Sequence, residues 1–237
     1  MKLKCLGTGS HGNSYAVIDK NNNILLLDVG IPFKEIKIGI DFQISKVKGA
    51  LISHVHHDHA AAARDLEKAG IPIIAPYIEK PKVTHLGGGF MVQYFPLTDK
   101  DNHFTHTNGD GSECPIYGYV ITHDVEPIKM VYITDCSLIK WRFKNVNTLL
   151  LGIDYADNFL ESESNEVKKY HVLSGHLSLE TGMDFIKVTD RDKTLKDVII
   201  GHLSDDNSDH ELFKNEISRV TDANVNVARK GAIYELS

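Results

Sequence analysis

Cysteine is scarce in this chain. The three residues, at positions 5, 114 and 136, share no spacing that would build a metal knuckle or a disulfide framework. Such usage points to a reducing compartment. No apolar run reaches the ~18 residues a membrane span needs. Met1-Lys2-Leu3-Lys4 leads straight into a strand-like segment and a glycine turn, without an apolar leader. A cytoplasmic protein is therefore the expectation. Proline is sparse, and no Pro/Ser-rich linker or low-complexity run divides the sequence, so one domain over residues 1–237 is expected. Positive charge is short as well: 26 Lys and Arg face 32 Asp and Glu, for a net charge of −6. A protein that wraps nucleic acid by charge alone carries a broad basic face. Here only small clusters occur, such as Lys34/Lys37, Lys46/Lys48, Lys80/Lys82 and Lys140/Arg142.

Histidine is what the chain has in excess. Four of its thirteen histidines fall within residues 54–59, in Ser53-His54-Val55-His56-His57-Asp58-His59. The left flank, Gly49 to Ser53, reads as a buried strand. The right flank, Ala60 to Ala69, reads as a helix closed by Gly70 and followed by Pro72. The segment is thus a strand-to-helix turn, from which side chains can converge outside a sheet. Neutral imidazole and carboxylate are good ligands for zinc, manganese or iron. Residues two apart on extended backbone point the same way, so His54 and His56 can share one ion. Asp58 and His59 begin the helix, point elsewhere and suit a second ion.

His54-x-His56-x-Asp58-His59 resembles the central signature of the metallo-β-lactamase fold superfamily, and the resemblance extends over nearly the whole chain. It implies a four-layer αβ/βα sandwich, two mixed sheets face to face with helices outside. It also implies two divalent metal ions, zinc or else manganese. One site would take His54, His56 and a third histidine. The other would take Asp58, His59 and a C-terminal histidine, with an aspartate bridging both. Asp135, after the strand run Met130 to Thr134, matches the bridging residue; a carboxylate at a strand end can reach two ions about 3.5–4 Å apart. His202, after the strand Leu195 to Ile200 and before a helix from about Asp209 to Val220, matches the C-terminal ligand. For the third histidine, His85, His103 and His106 compete. His106, nearest the following strand Ile116 to Thr122, is the choice over His103, and His85 is expected on a glycine turn. Asp28, ending the strand Ile24 to Leu27, matches a carboxylate that supports the ligands without binding metal.

A subgroup is also indicated. Leu6-Gly7-Thr8-Gly9-Ser10-His11-Gly12-Asn13-Ser14 resembles the G-S-x-S-G-N loop of YycJ/WalJ-type proteins, and Gly175-His176-Leu177-Ser178 resembles a G-H-L-S segment of that group. His202-Leu203-Ser204 with Asn207 fits too. Such proteins, some phage-encoded, are implicated as DNA exonucleases. The chain departs from them where His11 and Ser14 replace the usual small and Cys residues, and where the third-histidine region is longer.

The function this implies is metal-dependent phosphodiester hydrolysis, with DNA as the substrate and no membrane partner. Two ions would lower the pKa of a bridging water and stabilise the charge that develops at phosphorus. Asp58 would orient the attacking oxygen. His176, at the start of a helix expected from Leu179 to Val188, would bind a phosphate oxygen or protonate the leaving group. His11 and Asn13 are placed to line the same cleft, and Cys136, adjoining the bridging aspartate, is a further candidate ligand. His57, His123, His171 and His210 follow no pattern and are expected in solvent. The charge balance favours binding at the active site over wrapping, because two ions supply positive charge locally. A secreted β-lactamase is disfavoured. Two alternatives stay open: hydrolysis of a small molecule such as a cyclic nucleotide, thioester or lactone, and a non-catalytic binding protein built on the same fold.

Overall fold

The computed structural model describes residues 1–78, 84–97, 107–108, 110–157, 173, 175–203 and 209–237. The N-terminal strands are β1 (Lys2–Gly7), β2 (Ser14–Ile18), β3 (Ile24–Val29), β4 (Val47–Leu51) and β5 (Ile73–Ile74). They are followed by β6 (Thr84–His85), β7 (Phe90–Pro96), β8 (Tyr117–His123), β9 (Lys129–Ile133), β10 (Thr148–Gly152), β11 (Asp197–Gly201), β12 (Asn224–Val227) and β13 (Ile233–Glu235). One sheet has six strands in the order β13-β1-β2-β3-β4-β5, the other seven in the order β12-β11-β10-β9-β8-β7-β6. Both are mixed. Strands β1 to β3 run antiparallel and β3 to β5 parallel. Strands β6 to β9 run antiparallel and β9 to β12 parallel.

The layering follows from alternation along the strands. On β3, Leu25 and Leu27 join Met130 and Tyr132 of β9 in the core between the sheets. The intervening Ile24 and Leu26 face outward with Ile36 and Leu66, which come from α1 (Phe33–Gly39) and α3 (Ala63–Lys68). On β9, Val131 and Ile133 face the opposite outer layer, with Phe185 and Ile186 of α4 (Leu179–Thr189) and Phe213 of α5 (His210–Ser218). Strands buried on both faces read as the continuous apolar runs seen in the sequence. Each fully buried Leu or Ile contributes about 1.5–3 kcal/mol. The result is the expected four layers: helices, sheet, sheet, helices.

Local signals set the helix ends. Ser178 Oγ accepts the Thr181 amide at 3.2 Å, and Asp209 caps α5 through the amides of Glu211 and Leu212. The helix expected over 60–69 is split into α2 (His57–Ala60) and α3. The Ala62 amide bonds to Val29 O of β3 at 2.9 Å, which ties the turn between the two helices to the sheet. Gly70, with φ 78°, closes α3 as expected. His85 lies on β6, just before the Gly87–Gly89 turn. Among the described residues, no helix is long and apolar enough to cross a membrane.

The fold puts one kind of position to use. Asp28 lies at the C-terminal end of β3, the histidine-rich segment follows β4, Asp135 follows β9, and His202 follows β11. These are C-terminal strand ends, the edge at which open α/β sheets bind ligands.

Candidate metal centre

The histidine-rich loop is held from three sides. Tyr117 N donates to Ser53 O at 3.0 Å, and Tyr119 Oη donates across the sheets to Ile52 O at 2.7 Å. Asn13 N donates to Asp58 O at 2.7 Å, and Gly30 N to Asn13 O at 2.8 Å. A Cβ on Gly30 would stand 1.6 Å from Asp58 O, so only glycine lets β3 pass so close beneath the loop. Asp28, Asp135 and His202 all have positive φ, at 50°, 49° and 56°. Such backbone is uncommon outside glycine and clusters at functional sites.

Asp28 is completely buried. Its Oδ1 accepts Ser53 N at 2.7 Å. Its Oδ2 gathers Ser53 Oγ at 2.9 Å, Tyr132 Oη and His59 Nδ1, the last at 2.6 Å. On the other side, Asp154 Oδ1 holds His202 Nδ1 in a short contact and lies 3.2 Å from His176 Nδ1. With Nδ1 of His59 and of His202 each donated to a carboxylate, the second ring proton sits on Nε2, and its loss to an incoming ion frees the lone pairs of both Nε2 atoms. Those two atoms face each other at 3.4 Å. Asp135 Oδ2 lies 2.7 Å from His59 Nε2, and Asp135 Oδ1 lies 3.3 Å from His202 Nε2. Asp58 Oδ2 stands 3.3 and 3.8 Å from the same two nitrogens. His54 repeats the pattern, with Nδ1 at 3.0 Å from Ser53 Oγ and Nε2 at 4.0 Å from Asp135 Oδ2. The half-buried His56 ring meets the His54 ring edge-on, at 4.8 Å between centroids.

These contacts set the charges. Burial alone would raise the Asp135 carboxyl, but the imidazoles of His202 and His59 outweigh it and hold the group well below the carboxylate range. Burial works against charging His59 and His202, yet Asp135 pushes both well above the usual histidine value, helped by Asp28 at His59 and by Asp154 at His202. Burial likewise opposes charge on His176, and Asp154 and Asp135 overcome it, raising that imidazole to about 10. Burial opposes ionisation of Asp58 too, but hydrogen bonds from His202 and His59 prevail and lower it. In the metal-free chain, protons on the imidazoles balance a surplus of carboxylates. A dication placed among the same atoms would do so with fewer unmet acceptors. Asp135 Oδ1 and Asp154 Oδ2 are buried without a well-directed hydrogen bond, as ligand oxygens awaiting an ion would be. A donor set of imidazole nitrogens and carboxylate oxygens, with Nδ1 already anchored, fits divalent ions such as zinc.

Of the residues singled out in the sequence, His54, Asp58, His59, Asp135, His176 and His202 come together in this cluster, with His56 beside His54. His103 and His106 lie outside the described residues, as do His171, Ser204 and Asn207. Asn13 reaches the cluster through Nδ2, 3.2 Å from His59 Nε2, while His11 is exposed. Cys136 is buried, and burial pushes its thiol beyond the ordinary range, against a thiolate ligand. His57 is exposed as expected and His210 is half-buried. His123, expected in solvent, is a correction. It is 9% exposed, donates Nε2–H to Gly88 O at 2.7 Å and accepts two backbone amides at Nδ1. Asp154, Ser53 and Tyr132 were not singled out. Asp154 did carry a signal: it follows the apolar strand Leu149–Gly152 much as Asp135 follows β9.

The model of the Metallo-beta-lactamase superfamily matches residues 7–133 of this chain, and the chain belongs to that superfamily. No curated protein matches it by sequence. Among solved structures, it is similar to YhfI, a metallo-beta-lactamase fold protein from Bacillus subtilis, with a TM-score of 0.67 and 16% identity over 99% of each chain. The short form of human tRNase Z gives a TM-score of 0.61 at 12% identity, over 100% of both chains. A diphosphatase of the PhnP family gives 0.62 at 18% identity, over 100% of this chain and 98% of the other. At these identities the likeness is one of fold.

Proposed function

We propose that this metal-dependent hydrolase cleaves phosphodiesters of DNA, removing nucleotides from an end. One observation carries the reading: the Nε2 atoms of His59 and His202 converge with Asp58 and both oxygens of Asp135, beside a further imidazole, His176. We assign His54, His56 and His106 with Asp135 to one divalent ion, and Asp58, His59 and His202 with Asp135 to a second. When bound, the ions would supply an activated water near neutral pH and offset the charge that builds on the phosphoryl oxygens.

The protein's own groups do the rest. Asp28 and Asp154 keep the imidazoles of His59 and His202 turned inward. Asp58, whose side chain is 32% exposed, lies on the open side of the cluster and orients the attacking water. His176 has its Nδ1 held between Asp135 and Asp154, at 3.2 Å from each, so proton delivery to the leaving oxygen falls to Nε2. Its 16% exposed side chain stands where a substrate can arrive.

The choice of a phosphoester draws support from the fold shared with tRNase Z and a diphosphatase. The choice of DNA rests on the resemblance of residues 6–14 and 175–178 to YycJ/WalJ-type proteins, some of which are phage-encoded. Purified protein supplied with zinc or manganese should degrade linear DNA and spare closed circles. Asp58→Ala should abolish cleavage, and His176→Ala should slow it with the metal still bound. DNA left intact across several metals while a cyclic nucleotide or an acyl thioester is turned over would replace this reading with the small-molecule one.

A further inference from the structure

The segment after Asp135 reads Cys136-Ser-Leu-Ile-Lys-Trp-Arg-Phe-Lys144, and it is unlike the rest of the chain. It holds three cations and no carboxylate in a protein of net charge −6, and it contains the sole tryptophan. Its inward side chains fix it. Ile139 is 4% exposed, and Phe143 packs on the same core through Phe95 and Phe185, with ring centroids at 5.0 and 6.2 Å. Its outward side chains are Leu138, Lys140, Trp141, Arg142 and Lys144, all exposed. An exposed indole normally has rotamer freedom. Trp141 does not: Nε1 donates to Pro96 O at 2.6 Å, and the ring leans on Phe95 at 5.5 Å, yet the residue stays 43% exposed. The guanidinium of Arg142 is folded against Ile139 O and Trp141 O, which keeps a fixed charge beside the ring.

The placement ties this surface to the metal centre. Pro96 pairs with Tyr117, and Tyr117 N bonds to Ser53 O, immediately before His54. Along the chain, Trp141 stands six residues past Asp135, at most ~20 Å even if fully extended. We infer that Trp141, flanked by Lys140, Arg142 and Lys144, is a stacking platform for an unpaired base of a single DNA strand whose phosphodiester lies at the metal cluster. The inference rests on the nuclease reading and names the strand form that reading leaves open. A rigid, half-exposed indole offers its face to any base, and cations on either side suit the backbone phosphates. A duplex keeps its bases stacked within itself, so the platform selects frayed or single-stranded ends.

The lone tryptophan makes the test direct. The metal-loaded full chain is titrated with short oligodeoxythymidylate whose phosphorothioate linkages resist cleavage, while Trp141 emission and the anisotropy of a labelled strand are followed. The emission should be quenched in step with binding. An abasic strand of equal length should bind more weakly and leave the emission unchanged. Trp141→Ala should weaken thymidylate binding about tenfold, Trp141→Phe should restore most of it, and both variants should keep the parent's metal content and melting temperature. The proposal is overturned if thymidylate fails to bind, if it saturates with emission unchanged, if oligouridylate quenches and thymidylate does not, or if Trp141→Ala weakens the abasic strand as much as the thymidylate. Quenching without cleavage of the matching phosphodiester strand would leave the platform standing and remove the nuclease reading. Cleavage without quenching would do the reverse.

Discussion

Among the described residues, histidine and carboxylate gather in two places, and the two solve the same problem in different ways. At one end of the sheets, atoms of Asp19, His123 and Glu126 lie within 4.8 Å of one another. There the backbone satisfies nearly everything. Asp19 accepts the amides of Asn21 and Asn23 and the Asn23 side chain, at 2.7–2.8 Å. Glu126 accepts the Lys20 amide and faces the terminal ammonium of Met1 at 3.2 Å. His123 has donated at Nε2 and accepted at Nδ1, so the neutral ring has no lone pair left for an ion. At the other end, His59 and His202 spend Nδ1 on carboxylates and aim Nε2 at each other and at more carboxylates. Residue types alone do not make a metal site. What matters is whether the fold aims imidazole nitrogens and carboxylate oxygens at one point without spending them on backbone donors.

That contrast predicts very different costs for similar substitutions. Asp135→Ala removes the carboxylate shared by His54, His59, His176 and His202. Metal retention and any phosphodiesterase rate should fall by more than about a hundredfold, since outer supporting groups alone cost about 10–100-fold. Asp154→Asn or Asp28→Asn should be next, weakening metal binding about 10–100-fold as measured by competition with a chelator. Either change retaining parental affinity would mean that Nδ1 anchoring is irrelevant here. His123→Ala should leave metal binding untouched. It strands the Val125 and Glu126 amides and Gly88 O, at a cost of about 1–3 kcal/mol visible as a lower melting temperature. Metal loss in that variant would show that the two groups are not independent.

The smallest expected effect is one of pH. In the metal-free chain, His176 is raised from 6.5 to about 10, where Asp154 and Asp135 outweigh burial. A histidine raised on folding gives stability that is fully present below its unfolded value and is lost as pH rises through the folded one. The neighbouring carboxylates, lowered on folding, contribute throughout that window. Stripped protein should therefore melt at lower temperature as pH rises from about 6.5 toward 10. Metal binding has the opposite slope, because protons must leave the imidazoles. The melting-temperature gap between loaded and stripped protein should widen with pH, and a constant gap would argue against imidazole ligation.

The legible parts of the sequence were those where local pattern and chemistry coincide. His54 to His59 stood out because strand, turn and ligand types overlap in a few residues. Asp135 and His202, each after an apolar run, were placed by the family resemblance and its order of ligands. Asp154 escaped because a carboxylate near a strand end is also an ordinary turn residue, and its role comes from two imidazoles 22 and 48 positions away. His123 was misjudged because its partners, the Gly88 carbonyl and two backbone amides, have no side-chain signature. The four layers were implied by the resemblance, and the apolar strand runs agreed with it. The break between α2 and α3 was not, since it reflects an Ala62 amide bonded to another element.

Elemental analysis of protein purified without chelator, for the parent chain beside Asp135→Ala and His123→Ala, tests the central claim most directly. The account predicts about two divalent ions per chain in the parent and in His123→Ala, and far fewer in Asp135→Ala. Less than about half an equivalent in the reconstituted parent, or equal loss in both variants, would contradict it.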